Sequence, residues 1–255
     1  MIVAVLQARV SSRRLPGKVL LPILGRPMLS LQIERVLRSQ RIDKLVLATS
    51  DQPEDDGMVD IAQSVGIDLF RGSLEDVLDR FYGAAAAANP DWVVRLTGDC
   101  PLADAEVIDR VIDAAVERSY DYATNAVHPT WPDGLDCEVM TFAALEQCWR
   151  EAQTPVEREH VTPYINTNPE KFRLFHVKGE TDLSGLRWTV DEPADFDFVT
   201  RVYEALYPSK RDFTSADVLA FLADNPEVMA VNANIERNEG YRLSLEKLRN
   251  SLGKA

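Results

Sequence analysis

The chain opens on an apolar, β-branched run, Ile2 to Leu6, and turns polar and basic directly after Gln7. From Leu29 the apolar period changes: Leu29, Ile33, Val36 and Leu37 fall on one face of a helix. Lys44–Thr49 is a second buried-strand run. Met58, Ile61, Ala62 and Val65 mark a helix that Gly66 ends, where a residue with no Cβ can take the left-handed cap. Ile67–Phe70 reads as a short strand, and Leu74 to Ala88 as a helix stopped by the Asn89–Pro90 pair. Trp92–Leu96 reads as a strand and Ala105–Arg118 as a helix. Strand–helix alternation with apolar strands predicts a mostly parallel sheet with helices on both faces.

The second half is less regular. Tyr120–Asn125 reads as a strand, His128–Asp136 as a loop rich in Pro, Asp and Gly, and Cys137–Thr141 as a strand. Helices are expected over Phe142–Gln153 and Val156–Asn166, and strands over Phe172–Val177 and Leu186–Val190. A helix starts near Ala194, and the chain beyond Thr214 is helical. The resulting parse is one α/β domain over 1–231 with a small inserted lobe, followed by a charged helical tail over 232–255.

With 255 residues, 45% of them hydrophobic, such a domain has ample material for a core. No stretch approaches the roughly 20 apolar residues of a membrane span, which argues against membrane insertion. The N-terminal run lacks a basic lead and a cleavage site, so it reads as a first strand and the protein as cytoplasmic. Cys100, Cys137 and Cys148 are odd in number and irregularly spaced, which predicts reduced, buried thiols. A net charge of −13 disfavours nucleic acid as a partner. The charge is unevenly spread: all 41 acids lie at or beyond Glu34, while Arg9, Arg13, Arg14, Lys18 and Arg26 precede it. A concentrated positive loop on an acidic protein points to a small anion.

That loop, QARVSSRRLPGK from Gln7 to Lys18, follows the first strand, and α/β sheets bind ligands at the carboxyl ends of their strands. Ser11, Ser12 and Gly17 suit close backbone approach to a triphosphate; Arg9, Arg13 and the exposed loop cation Lys18 supply charge. Neither G-x-x-x-x-G-K-[ST] nor G-x-G-x-x-G occurs there, so an ATPase-type P-loop and a dinucleotide site are both unsupported. Asp99 directly follows the strand Trp92–Leu96, and Asp191 ends the expected strand Leu186–Val190. Either carboxylate could hold a metal at the same crevice or simply cap a helix. Asn125, Asp133 and Glu138 flank the Pro/Gly loop, where they could bind sugar hydroxyls or form turns.

QARVSSRRLPGK, RGSLEDVLDRF, RLTGDCPL, PDGLDCEV, EREHVTPYI and RWTVDEPADF together resemble the sugar-acid cytidylyltransferases, namely the CMP-KDO and CMP-acylneuraminate synthetases. The later motifs are most similar to the spore-coat SpsF-type branch. The resemblance implies a Rossmann-like nucleotidyltransferase fold, a homodimer, CTP and a small sugar as substrates, and Mg²⁺ (or Mn²⁺) held by Asp99 and Asp191. It further implies a nucleotide-binding set of Leu6, Ala8, Arg9, Ser11, Ser12, Arg13, Lys18, Arg71, Ser73 and Asp99. Of these, Arg9, Arg13, Lys18 and Asp99 would carry the chemistry together with Asp191. A sugar-binding set of Asn125, Asp133, Glu138, Glu159 and His160 follows in the same way. No residue stands out as a general base. Rival readings are a sugar-1-phosphate nucleotidyltransferase using another triphosphate, a glycosyltransferase (although no strong D-x-D follows a strand), and a nucleotide-binding regulator without turnover.

Overall fold

The fold is seen in a computed structural model that describes residues 1–12 and 14–252. Strand β1 (Ile2–Gln7) lies inside the sheet because its middle residues, Val3 to Leu6, are apolar on both faces and wholly buried. The other elements follow in chain order. Pro22–Ile23 (β2) and Arg26–Pro27 (β3) form a small hairpin leading into α1 (Met28–Val36). Next come β4 (Lys44–Ser50), α2 (Gly57–Val65), β5 (Asp68–Gly72), α3 (Val77–Ala86), β6 (Trp92–Thr97) and α4 (Ala105–Glu117). The second half contains β7 (Tyr122–Thr124), β8 (Glu138–Thr141), α5 (Phe142–Glu151), α6 (Pro155–His160), α7 (Pro163–Thr167) and β9 (Leu174–His176). Helices α8 (Pro193–Leu206), α9 (Ser215–Asp224), α10 (Pro226–Met229) and α11 (Glu239–Leu252) complete the chain.

Seven strands form one sheet in the order β5-β4-β1-β6-β8-β7-β9. All run parallel except β8, which is antiparallel to both β6 and β7. The strands of the second half extend the same sheet. The alternation of β1 decides which helix packs where. Ala4 and Leu6 join the apolar stripes of α1, α2 and α4, while Val3 and Val5 meet α3 and α5 on the other face. Burying one such Val or Leu contributes about 1.5–3 kcal/mol, and the two layers hold the strand ends in fixed register. A third cluster packs α8 and α9 against Ile23, Met28, Leu102 and Trp188. Gly66, at φ +71°, caps α2 as its sequence position predicts. The three cysteines are free and buried. No helix among the described residues is long and apolar enough to cross a membrane.

Two expected elements differ. Residues 186–190 are extended but form no sheet strand. Their backbone pairs with loops: Asp133 N–H donates to Leu186 O (2.9 Å), Trp188 N–H to Asp133 O (2.6 Å) and Val190 N–H to Asp99 O (2.8 Å). Gly134 permits this approach, since a Cβ there would lie 2.6 Å from Thr189 N. The helix expected over Val156–Asn166 is broken into α6 and α7 at Val161, whose φ of +71° no continuous helix allows, just before Pro163.

Candidate active site

The loop leaving β1 is fastened before it turns. Ala8 N–H donates to Ala48 O at 3.0 Å, and the buried Asp55 accepts from Val10 N–H (2.7 Å), Ser50 N–H (3.2 Å) and the Ser50 hydroxyl. Gly17 then takes the left-handed conformation at φ +71° and donates its N–H to Val10 O at 3.0 Å. The next side chain therefore points inward. Lys18 is 8% exposed, so it is not the exposed loop cation that the sequence suggests. Its ammonium donates to Val190 O (2.7 Å), Asp191 Oδ1 (2.9 Å) and Asp99 Oδ2 (3.3 Å).

Lys18 thus bridges the two carboxylates expected to bind metal, which strand order alone could not predict. Asp99 follows β6 across Gly98, where a Cβ would sit 2.6 Å from that of Ala8, so the loops after β1 and β6 touch. The Asp99 carbonyl accepts from Thr189 Oγ1 (3.1 Å) and Val190 N–H, which draws Asp191 alongside. Asp191 Oδ2 receives Arg14 (2.9 Å) and Arg187 (3.1 Å). Capping falls to other residues: Asp104 accepts Glu106 N–H at the start of α4, and Asp195 accepts Glu192 N–H at the start of α8. Burial works to raise the Asp99 pKa, but the Lys18 ammonium and hydrogen bonds from Thr97 and Cys100 outweigh it and hold the value at about 2. For Lys18, burial opposes the charge and the two aspartates overcome that, raising its pKa.

Among the described residues no group of three or more His, Cys, Asp or Glu is arranged to hold a metal ion. A pair of carboxylates meeting at one ammonium is nevertheless a donor set that suits magnesium, which takes one or two carboxylates and completes its octahedron with phosphate oxygens and water. Asp99 and Asp191 fit that ion.

Behind them lies a buried ionic layer. Arg187 donates to Asp133 (2.9 Å), to Asp191 and, with two nitrogens, to Asp195 (2.9 Å each). Asp195 is 0% exposed and also accepts from Asp191 N–H (2.9 Å) and Asn232 Nδ2 (2.8 Å). Burial works against the charge of Arg187, but Asp195, Asp133 and Asp191 raise its pKa well above the ordinary value.

Asp99 and Asp191 line a cavity of about 480 Å³ together with Asp133, Glu138 and His160. Glu138 is held there by Arg95, by the Tyr122 hydroxyl and by Thr162 Oγ1 (2.6 Å). His160 lies edge-on to Tyr241 at 5.0 Å; burial, opposed by Glu159 and reinforced by Arg95, lowers its pKa. The other two sugar candidates lie outside the wall. Asn125 is buried with its amide committed to the backbone, donating to Leu135 O (2.8 Å) and accepting Cys137 N–H (2.7 Å). Glu159 is exposed and accepts from Ser244 Oγ at 3.1 Å.

The nucleotide candidates sit mostly in the loops after β1 and β5 and not in the cavity wall. Leu6 is wholly buried, paired in register with Leu47 and Leu96. Ala8 is buried, Ser11 is exposed and Ser12 Oγ accepts Leu15 N–H at 3.4 Å. Arg9 is half-buried beside Arg80, whose pKa falls through burial first and the Arg9 charge second. Arg71 is taken up by Ser50 O (3.0 Å), Gln52 O (2.8 Å) and Asp56 (2.6 Å), and Ser73 Oγ accepts Asp76 N–H at 3.0 Å. Arg13 lies outside the described residues.

Several site residues escaped the sequence reading. Arg187 and Asp136 sit inside quoted motifs, RWTVDEPADF and PDGLDCEV, yet nothing in their spacing marks them. Arg14 adjoins the expected Arg13, and no sequence signal points to Tyr241. Asp136 has a measurable signature: burial first, with Asp133 adding to it and Arg237 opposing, raises its pKa to about 7. The folded state therefore holds this proton more tightly than the unfolded chain, and the stability it contributes is lost as pH rises from about 4 through about 7. Asp136→Asn is expected to flatten the fall in melting temperature across that window. An unchanged pH profile would contradict the assignment.

The cytidylyltransferase family model matches residues 3–211. An uncharacterized protein of Methanocaldococcus jannaschii is 37% identical over 248 residues, covering 94% of this chain and 98% of that protein. The spore coat polysaccharide biosynthesis protein SpsF of Bacillus subtilis is 33% identical over 235 residues, covering 89% of this chain and 95% of SpsF. A solved cytidylyltransferase structure from Leptospira borgpetersenii superposes with a TM-score of 0.85 at 32% identity, covering 92% of this chain and 98% of that one. With its loop after β1, its paired aspartates and its sheet order all inside the matched span, the chain belongs to the cytidylyltransferase family.

Proposed function

We propose that this cytidylyltransferase transfers CMP from CTP to a hydroxyl of a small sugar acid, releasing pyrophosphate, as a cytoplasmic homodimer serving surface polysaccharide synthesis. The observation that carries the reading is the meeting of Asp99 and Asp191 on the Lys18 ammonium in the wall of a cavity roomy enough for a sugar. In the reaction the sugar oxygen forms a bond to the α-phosphorus, and the bond from that phosphorus to the bridging oxygen of pyrophosphate breaks. The hydroxyl proton passes to solvent water as the new ester forms.

The protein's contribution is orientation and charge placed in advance. Arg9, Ser11, Ser12 and Arg13 cradle the triphosphate on the loop after β1. Asp99 and Asp191 would hold magnesium, which would supply neutralisation of phosphate charge and acidification of a nearby hydroxyl. Lys18, whose ammonium is taken up by Asp99, Asp191 and Val190 O, keeps the two carboxylates together. Glu138, Thr162 and His160 offer hydrogen bonds to the acceptor. The similarity to SpsF, a spore coat polysaccharide biosynthesis protein, supports the polysaccharide setting, and the family supports the cytidylyl donor.

A pyrophosphate-release screen of the four nucleoside triphosphates against sugar acids and sugar phosphates tests the reading. CTP with a sugar acid is expected to lead by at least about tenfold in kcat/KM, near 1.4 kcal/mol of discrimination. A lead for UTP or GTP with a sugar phosphate would move the protein to the sugar-1-phosphate class.

A further inference from the structure

The family match ends at residue 211, yet the chain returns to the cavity beyond it: Asn238, Glu239, Gly240 and Tyr241 form part of the wall. This return is fastened at three points. Arg237 donates to Asp136 Oδ1 (2.5 Å) and Trp131 O (3.2 Å). Arg14, from the loop after β1, donates to Glu239 Oε2 (2.8 Å) while also pairing with Asp191. Ser244 donates to Glu159 on α6. Between the fastenings Tyr241 meets His160 edge-on, at an interplanar angle of 85°. All three are polar contacts of partly exposed groups, the kind of attachment that opens locally without unfolding the sheet.

We propose that the segment Arg237–Tyr241 closes the acceptor end of the cavity and that Tyr241 is a specificity-determining wall for the sugar. The inference rests on the CMP-transfer reading above. A pyranose placed beside His160 and Glu138 has hydroxyls on its rim and C–H groups on its faces. The polar rim is matched by Glu138 and Thr162, and the aromatic ring of Tyr241 supplies an apolar surface for a face. Because Arg14 holds Glu239 and Asp191 at once, the closing segment is tied to the carboxylate that serves the nucleotide.

The test uses the full chain with CTP and magnesium, with 3-deoxy-manno-octulosonate and N-acetylneuraminate as acceptor probes, and reads pyrophosphate with and without acceptor. Tyr241→Ala is expected to raise the acceptor KM about tenfold while leaving the CTP KM within about twofold, with Tyr241→Phe close to the wild type. Equal loss toward CTP and acceptor, or no loss at all, overturns the inference. Tyr241 lies half-buried on the last helix, and a melting temperature confirms that each variant is folded. Should Tyr241→Ala misfold, Tyr241→Ser, which also removes the apolar surface, carries the same expectation. If the wild type releases pyrophosphate with neither probe, the CMP-transfer reading itself fails and the inference falls with it.

Discussion

Asp99→Asn is expected to lower turnover by about 10²–10³-fold at ordinary magnesium concentrations, the scale of losing one group that stabilises transition-state charge. Asn keeps the shape and a neutral oxygen but loses the charge that retains a hard cation. Raising magnesium, or supplying manganese, which accepts neutral oxygen and nitrogen ligands more readily, should recover part of the loss. Asp191→Asn should behave alike in metal dependence and differ in stability. Its carboxylate also receives Lys18, Arg14 and Arg187, whereas Asp99 pairs with Lys18 alone among these cations. Magnesium titrations of activity beside thermal melts separate the two roles. A destabilised Asp191→Asn protein with an unshifted magnesium curve would remove Asp191 from the metal site and leave Asp99 to act alone.

The largest stability effect is expected at Arg187. Its guanidinium is buried among Asp133, Asp191 and Asp195, and Asp195 has no exposed surface at all. Removing one partner of a buried ionic group leaves charge with no compensation and costs about 3–5 kcal/mol. Arg187→Ala should therefore shift the denaturation midpoint strongly, or prevent folding. The pair Arg187→Met with Asp195→Asn should recover part of the loss, because Asp195 is then no unpaired ion, Asp191 keeps Lys18 and Arg14, and Asp133 keeps Arg237 at 3.8 Å. A loss below about 1 kcal/mol for Arg187→Ala, the range of exposed pairs, would show that water reaches the cluster.

The parallel half of the sheet could be read from the sequence because its signals are local. Ile2–Leu6, Lys44–Thr49 and Trp92–Leu96 are apolar on both faces, and the helices between them end at marked residues such as Gly66. Residues 186–190 misled because an apolar extended run says nothing about its partner: these residues bond to loops at Asp133 and Asp99 instead of to a strand. The break at Val161 goes with Pro163, which has no N–H to continue a helix and stands instead at the first position of α7. Asp99 and Asp191 could be found by motif. The inward turn of Lys18 could not, because it depends on Gly17 and on contacts 81 and 173 residues away in the chain. Arg187, Asp136 and Tyr241 act through burial and long-range pairing, which leave no periodic trace.

The reversed direction of β8 bears on how this scaffold can change. A parallel successor to β7 would need a crossover returning the chain to the far edge of the sheet. Because β8 runs back instead, residues 125–137 form the bend of a hairpin, closed by the pairing of Thr124 with Glu138. That bend carries Asp133 and Asp136 into the cavity and delivers Glu138 as the first residue of its strand. Hairpin bends tolerate changes of length at small entropic cost. Insertions or deletions among residues 126–132 could therefore reshape the cavity while the loops after β1 and β6 keep their spacing, so that one frame could be refitted to different ligands by indels in a single bend.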